Sequence, residues 1–158
     1  MRRALVLVTT IVVVVTACAG GGSDTSDQAA LIYSAVIRAV VADTSHPKID
    51  SDTSVFVVAA DERSPLALEV QADIVAELHE LATIRFVDHR VEAIDDSSAK
   101  RPVNDDGILI TLGKISRAAD TATVDAARYV DATDTTAYRV MVRRTNGHWK
   151  PTATSSRA

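Results

Sequence analysis

Apolar residues recur at helical spacing in two segments of the chain. In residues 28–42 they form a stripe so wide that the predicted helix is buried on more than one side. Residues 25–28, TSDQ, match a capping box, which predicts that this helix starts close to Gln28. A second helix is predicted with Ser64 as its N-cap and Pro65 at the first helical position. Its inner stripe consists of Ala67, Val70, Ile74, Leu78 and Leu81.

Strand-like patterns fill much of the remaining chain. Residues 54–60, SVFVVAA, form a continuous β-branched and aromatic run, which is typical of a strand covered on both faces. Residues 83–87 predict a second strand. From Gly107 the apolar period changes to two, which indicates half-buried strands. These strands are predicted over residues 108–116, 122–130 and 136–144.

A long polar passage, residues 88–107, separates the second predicted strand from the third. Pro102, two pairs of Asp residues and Gly107 favour a loop here. At about twenty residues it is longer than most connections in compact domains. Such loops are either functional or loosely ordered, and the sequence leaves both interpretations open.

The end of the chain predicts a β-hairpin. Asn146-Gly147 is the strongest short hairpin signal, because a two-residue type I′ turn needs positive φ at both positions. With this turn, Trp149 lies opposite Arg144 and shares the core face of the preceding strand. Pro151 donates no ladder hydrogen bond, so the last strand is predicted at a sheet edge. Residues 154–158 are predicted to be a polar tail.

Together the patterns predict an α+β domain over residues 28–153. We expect a two-layer sandwich, in which two helices pack on a mostly antiparallel sheet of five to six strands. The chain has 158 residues, which is room for one ordinary domain behind a leader.

The first 18 residues, MRRALVLVTTIVVVVTAC, have the layout of a bacterial export signal. Arg2 and Arg3 supply a positively charged start, residues 4–15 supply a short apolar region, and small residues follow. This pattern predicts that the rest of the chain works outside the cytoplasm.

Residues 15–18, VTAC, resemble the lipobox of bacterial lipoproteins, with a branched apolar residue, two small residues and Cys18. The resemblance implies a diacylglyceryl group on the Cys18 sulfur, cleavage of a signal peptide spanning residues 1–17, and acylation of the freed amine by a chain such as palmitate. Residues 18–27 are then the lipidated cysteine and a flexible, glycine-rich tether. The protein is expected at the extracytoplasmic face of the cell membrane, held by covalent lipid.

Two other interpretations of the leader stay open. Ala17-Cys18-Ala19 fits the small-x-small pattern of an ordinary secretory signal, in which case cleavage follows Ala19 and the protein is released. The third interpretation is an uncleaved membrane anchor. Thr9 and Thr10 interrupt that apolar run, which falls short of the roughly 20 residues that a spanning helix needs.

Charge argues against nucleic acid as a partner. Removing Arg2 and Arg3 from the 17 basic side chains leaves 15 against 21 acidic ones, a net charge of −6. Phosphate binding needs a net or clustered positive field. Cys18 is the single cysteine, so with lipid on its sulfur no disulfide forms, and burial of a core must hold the domain together.

No motif for metal, cofactor or covalent chemistry is present, and we assign no catalytic, cofactor-binding or metal-binding residue. The four histidines lack zinc-site spacing, and the acids of the long loop lack the alternating pattern of a calcium loop. No nucleophile elbow, phosphate loop or Cys pair occurs. The residues considered are His46, His79, His89 and His148 for zinc, and Asp95, Asp96, Asp105 and Asp106 for calcium.

One local basic cluster, Arg139, Arg143 and Arg144, lies in the penultimate predicted strand. We considered an anionic ligand or a lipid headgroup for it, with Arg144 stacked on Trp149. Charges that protect a sheet edge from aggregation are the ordinary explanation.

The lipobox, the helix-strand-helix-strand opening and the closing AYRVMVRRTNGHWK resemble a family of uncharacterised bacterial lipoproteins and secreted proteins. The ending is also similar to that of nuclear-transport-factor-2-like cone folds, in which helices pack on a curved sheet that encloses a pocket. Neither resemblance carries functional residues beyond Cys18.

Two functions are therefore in view. The first is a non-enzymatic, membrane-anchored domain that binds an envelope protein or a small ligand. The alternative is a small enzyme of the nuclear-transport-factor-2-like type, with its site in a concave sheet and acids such as Asp88 or Asp125 near His89.

Overall fold

The computed structural model of the protein describes residues 23–46 and 49–157. The predicted signal peptide, Cys18, the first part of the tether and Pro47 lie outside these described residues. Within these ranges there are two α-helices, α1 (Ser23–Val41) and α2 (Leu68–Leu78). The seven strands are β1 (Ser54–Ala59), β2 (Thr83–Phe86), β3 (Ile108–Leu112), β4 (Ser116–Ala118), β5 (Thr121–Asp131), β6 (Asp134–Thr145) and β7 (His148–Arg157).

All seven strands belong to one open sheet. Its order is β2-β1-β3-β5-β6-β7, and the short β4 pairs with the start of β5. Four strand pairs are antiparallel, whereas β1 runs parallel to both β2 and β3. The fold is thus α+β with two helices and a mostly antiparallel sheet, as predicted.

The predicted count of five to six strands is wrong, because the predicted third strand ends early and a further short strand follows it. Residues 108–116 read as a single alternating strand, but β3 ends at Leu112. At Gly113 the N–H donates to the carbonyl of Asp125 at 2.8 Å, and the chain then leaves the β3 path. Ser116–Ala118 then forms β4, which pairs with the beginning of β5.

The main core lies between the two helices and one face of the sheet. Inward side chains of α1 and α2 pack on alternate residues of β1, β3, β5, β6 and β7 in one continuous apolar cluster. The predicted stripe of α2 is confirmed at its centre, since Val70, Ile74 and Leu78 are buried. Tyr33 and Ile37 of α1 are buried beside Val36, so this helix does bury more than one side.

The long polar passage, residues 88–107, covers the opposite face of the sheet instead of forming an open loop. It contains two 3₁₀ turns, Arg90–Ala93 and Asn104–Asp106, and Ile94 forms a β-bridge with Val103. Its apolar side chains build a second core on the outer face of β1, β3 and β5. The buried members are Phe56, Val58, Ala93, Ile94, Val103, Leu109 and Tyr129.

The predicted C-terminal hairpin is confirmed in turn and register. Asn146 has φ 51° and Gly147 φ 83°, and Trp149 lies opposite Arg144. Trp149 is buried in the main core, and β7 is an edge strand.

The predicted polar tail, residues 154–158, is wrong over most of its length, because β7 continues to Arg157. Thr154 pairs with Val140 and Ser156 with Tyr138. The ladder passes Pro151 through a bulge beside Met141 and then resumes. A polar sequence forms an edge strand here because its backbone pairs with β6 and its exposed side chains need no core.

Both helices begin at other residues than predicted. α1 begins at Ser23, so the last five residues of the predicted tether are helical and the TSDQ segment lies within the helix. α2 begins at Leu68 after Ala67, which makes no side-chain cap, and Ser64 instead forms a turn with Asp61. In the described residues no helix is both long enough and apolar enough to span a membrane.

Candidate functional site

The structure places the four histidines in separate surroundings. His79 caps the end of α2, and its ring lies against the carbonyl of Ala76 at 2.8 Å. His148 starts β7, His89 lies at the start of residues 88–107, and His46 follows α1. In the described part of the chain, no three His, Cys, Asp or Glu side chains are grouped so that they could hold a metal ion.

Three of the four acids that were considered for calcium have another partner. Asp96 pairs with Arg101 at 2.7 Å, and Asp105 pairs with Arg85 at 2.7 Å on β2. Asp95 accepts a hydrogen bond from the backbone N–H of Ser97. These contacts fix the fold of residues 88–107.

The basic cluster of β6 is not one site. Arg139 makes a two-point contact with Asp125 of β5, with nitrogen to oxygen distances of 2.8 and 3.1 Å. The cation that stacks on Trp149 is Arg117 of β4 and not Arg144, as the sequence had suggested. The guanidinium carbon of Arg117 lies 5.6 Å from the centroid of the indole ring. Arg117 reaches the indole because β4 folds back along β5, which the sequence did not predict.

His89 has a carboxylate partner, but it is Glu62. The Nδ1 of His89 lies 3.1 Å from Glu62, whose other oxygen accepts the backbone N–H of Arg90. The hydrogen bond to Glu62 raises the pKa of His89, and the charges of Glu92 and Asp88 add to this. Asp125, proposed beside His89, instead faces Arg139. The His89–Glu62 pair is exposed and joins residues 88–107 to the loop before α2.

The most unusual polar group lies inside the domain, below the end of α1. Arg128 points inward from β5 and is only 2% exposed, although arginine is almost never fully buried without a partner. Its Nε and Nη1 donate no hydrogen bond to any of the described residues. Five further polar side chains either lie near Arg128 or contact a side chain that does. We name the set the Arg128 cluster: Arg128, Asp43, His46, Asp134, Thr136 and Tyr138.

Strand pairing and the end of α1 bring these residues together. Arg128 of β5 lies opposite Thr136 of β6, and Tyr138 follows on the same face. The hydroxyl of Tyr138 donates to the Oδ2 of Asp43 at 2.8 Å, just beyond α1. The ring of His46 lies beside the start of β6, with Nε2 at 3.2 Å from Thr136 Oγ1 and Nδ1 at 3.3 Å from Asp134 Oδ1.

The electrostatics of the cluster follow from burial and these hydrogen bonds. A backbone hydrogen bond from Ser45, together with the Tyr138 hydroxyl, lowers the pKa of Asp43 from 3.8 to about 2. Burial, and then the bond to Asp43, raise the pKa of Tyr138 to about 12. Burial also lowers the pKa of Arg128, against the opposing charges of Tyr138, Asp134 and Asp43. A carboxylate, a phenol and a guanidinium with shifted pKa values in one place are typical of a functional site.

A cavity of about 440 Å³ opens beside this cluster, and we name it the His46 cavity. Its wall is mostly apolar and includes Val41, Ile49 and Leu81. Asp43 and His46 are among its polar lining, and their hydrogen bonds lead to Tyr138 and Thr136 on β6. Thr136 lies opposite the buried Arg128, which does not line the cavity itself. A mostly apolar cavity with a few converging polar groups is the usual form of a small-molecule site.

The order Asp134, His46, Thr136 is that of a carboxylate, an imidazole and a hydroxyl in nucleophilic catalysis. In the neutral ring with its proton on Nδ1, Nε2 accepts from the Thr136 hydroxyl. Thr136 is only 9% exposed, however, and its hydroxyl is held inside the sheet. The arrangement therefore fits a binding site better than an acyl-transfer site.

Acid is expected to weaken the contact between α1 and β6 through Asp43. Because the folded pKa of Asp43 is depressed, its stabilising contribution is present above pH 4 and is lost as the pH falls towards 2. Urea unfolding at pH 6, 4, 3 and 2 measures this for the natural chain and for Asp43→Asn.

We expect the natural chain to be the more stable at pH 6 and its advantage over Asp43→Asn to vanish near pH 2. Asp50→Asn is the matched control, because Asp50 also has a lowered pKa but bonds only within its own turn. An advantage over Asp43→Asn that stays constant from pH 6 to 2 contradicts the assignment.

The chain matches no protein-family model, no curated protein and no solved structure. Its function is therefore argued from its own residues. Sequence reasoning missed the Arg128 cluster and had considered only His46 among its members, as a zinc ligand. The one signal available was Arg128 itself, a charged residue at an inward position of an alternating strand.

Proposed function

We propose that this protein is a cell-envelope lipoprotein, anchored by covalent lipid on Cys18 at the extracytoplasmic face of the membrane. The observation that supports this proposal is the VTAC segment, residues 15–18, which directly follows a positively charged and apolar leader. Cys18 is the single cysteine of the chain, so no other thiol competes for lipid. Two or more acyl chains anchor stably, since each buried CH₂ contributes about 0.8 kcal/mol.

The start of α1 sets how far the domain stands from such an anchor. Only residues 19–22 separate Cys18 from Ser23, the first residue of α1. Five Cα to Cα steps span at most about 18 Å. The anchor therefore holds the beginning of α1 against the bilayer, closer than the tether of residues 18–27 that the sequence predicted.

We propose further that the folded domain is a non-enzymatic binding domain for a small ligand, with the His46 cavity as its site. The supporting observation is Arg128, whose buried guanidinium donates to none of the described residues at Nε and Nη1. Arg128 does not line the cavity, so its charge acts there through Asp43, which does. A charge in such surroundings is costly to the fold, so its retention is best explained by a role in supporting the polar wall that meets a ligand.

A small enzyme is the second candidate, and the Asp134, His46, Thr136 order favours it. The two functions differ in the fate of the bound compound. Protein purified from its native envelope is expected to release a compound that is recovered unchanged after incubation with fresh protein. Its conversion to a product, abolished by His46→Ala and retained by the exposed control His79→Ala, would make the domain an enzyme.

Mass spectrometry of the mature N-terminus tests the anchor. We expect a chain that begins at Cys18 and carries the added mass of a diacylglyceryl group and of an amide-linked acyl chain. Cys18→Ala is expected to lack all of this mass and to leave the membrane fraction. A mature chain that begins at Gly20 without lipid identifies an ordinary secreted protein and overturns the proposal.

A further inference from the structure

Positive charge is concentrated in the β6–β7 hairpin of an otherwise acidic protein. Residues 135–158 carry five lysine or arginine side chains and no aspartate or glutamate. Residues 18–134 carry ten such cations against 21 acids. A charge asymmetry of this kind indicates that the basic part of the chain meets an anionic partner.

The cations near the turn of this hairpin are not neutralised by the fold. Arg143 and Lys150 lie directly opposite each other across β6 and β7, and both are exposed. Arg143, Arg144 and Lys150 form no ion pair with any residue that the structure describes. Arg139, farther from the turn, is instead paired with Asp125. Like charges directly opposite each other destabilise a sheet, so an anionic surface over them would relieve a repulsion.

β4 brings a fourth cation to the same end of the sheet. Arg117 stacks on the ring of Trp149, which lies opposite Arg144. In the turn between β4 and β5, the carbonyl of Asp120 accepts the backbone N–H of Arg144 at 2.8 Å, so the charge of this acid offsets that of one cation. The end of the hairpin thus presents positive charge on both faces of the sheet. We name the set the hairpin cations: Arg117, Arg143, Arg144 and Lys150.

The hairpin turn lies at the same end of the domain as the start of α1. α1 runs opposite to β6, because Asp43 just beyond its end meets Tyr138 near the start of β6, and its middle borders residues 148–151 of β7. The helical rise from Asp43 back to Ser23 is about 30 Å. A strand from Tyr138 to Gly147 spans about the same distance. The beginning of α1 is therefore level with the hairpin turn.

The anchor proposed at Cys18 brings this end of the domain to the membrane, since only residues 19–22 separate Cys18 from α1. Acids lie on the α2 side of α1 instead, where Asp27 lines a groove with Asp73 and Glu77. We propose that the hairpin cations bind anionic phospholipid headgroups, and that this contact holds the hairpin against the bilayer and turns α2 away from it. This inference rests on the proposed lipid anchor.

Acetylation of lysines by a water-soluble N-hydroxysuccinimide ester measures this contact. The mature lipidated protein is reconstituted in vesicles of phosphatidylcholine and in vesicles of equimolar phosphatidylcholine and phosphatidylglycerol, and mass spectrometry follows the modification. We expect Lys150 to react at least about 5-fold more slowly in the anionic vesicles, because each Lys or Arg near an anionic surface contributes about that factor to its binding. Lys100 is expected to react equally in both. It is an exposed lysine beside the β5–β6 turn, at the opposite end of the sheet, where its carbonyl accepts from Ala132.

A pair of double variants locates the contact. Arg143→Gln with Arg144→Gln is expected to remove most of the protection of Lys150. Arg85→Gln with Arg101→Gln is the matched control, because it removes equal charge from residues that pair with acids elsewhere, and it is expected to keep the protection. Sodium chloride at about 1 M is expected to abolish the protection, since charges are then screened beyond about 3 Å.

The failure of this contact and the failure of the anchor give different results. Equal rates for Lys150 in the two kinds of vesicle, with the lipidated chain bound to both, would overturn this inference and leave the anchor intact. A mature chain that binds neither kind overturns the anchor and this inference together. Protection of Lys150 in native envelopes that phosphatidylglycerol does not reproduce would identify an acidic protein as the partner and overturn the assignment to lipid.

Discussion

Replacing Gly107 with alanine is expected to lower the free energy of unfolding by about 3 kcal/mol. The added Cβ would overlap the backbone carbonyl oxygen of Ser54 and would lie 3.1 Å from that of Asn104. Both obstacles are backbone atoms, which cannot turn aside as a flexible side chain does. The cost is steric alone, because the φ of Gly107 is −85°, which any residue adopts.

The backbone around Gly107 cannot easily move to accommodate the added methyl group. Ser54 begins β1 and pairs with Thr83 of β2, while Ile108 next to Gly107 pairs with Val55. Moving Gly107 away therefore separates β3 from the central strand β1. Both cores lose contacts in that movement, since Val55 belongs to the main core and Phe56 to the outer one.

Gly147→Ala is the matched control. Gly147 has φ 83°, and an added Cβ meets no atom within 4 Å, so its cost is conformational and about 1 kcal/mol. Urea unfolding followed by far-ultraviolet circular dichroism measures both variants. Equal destabilisation of the two would show that the strands accommodate a methyl group at Gly107, which contradicts the packing described.

The hairpin was predictable because its determinants are local. Asn146 and Gly147 specify the turn, and the turn fixes which residues face each other. The burial of Trp149 followed from that register alone. The amphipathic stripe of α2 was predictable for the same reason, as its period lies within eleven residues.

The cover formed by residues 88–107 was not predictable, because its signals are nonlocal. Ala93 and Ile94 are adjacent, but a mostly polar stretch separates them from Val103, and the three share no period. They become one apolar group only when Ile94 bridges Val103 against Phe56 and Leu109. The parallel pairing of β1 with β3 depends on this same crossover, whereas that of β1 with β2 depends on the crossover through α2.

The candidate site shows the same limit. Asp43 and Tyr138 are 95 positions apart, and His46 and Thr136 are 90 apart. The alternation along β5 puts position 128 on the inward face, but it does not reveal which side chains at the end of α1 lie opposite. These side chains become neighbours only when the chain has folded.

Arg128→Met is expected to raise the free energy of unfolding by about 1–3 kcal/mol. Methionine keeps the length and most of the volume of the arginine stem, so the core remains filled. It removes a charge that is 2% exposed and whose Nε and Nη1 donate to no described residue. Burying such a charge costs several kcal/mol, which the variant recovers.

Arg128→Met also loses the attraction between Arg128 and the nearby carboxylates. We expect this loss to be smaller than the desolvation cost that the variant recovers. Asp134 has a side chain that is 36% exposed, so water screens its charge when Arg128 is gone. Asp43 keeps its hydrogen bonds from Ser45 and Tyr138. Neither carboxylate becomes a buried, unpaired charge, which is the situation that makes the removal of one partner strongly destabilising.

Arg128→Ala distinguishes the effect of removing the charge from the effect of removing packed side-chain volume. It removes the same charge but leaves a cavity, so we expect it to be about 2–4 kcal/mol less stable than Arg128→Met. Chemical unfolding at pH 7 measures both variants against the natural chain. A loss of more than about 1 kcal/mol in Arg128→Met would show that Arg128 stabilises the fold through its neighbours. Stabilisation in Arg128→Met means that the natural chain keeps a residue that weakens its fold, and this is the behaviour expected of a guanidinium retained for binding at the His46 cavity.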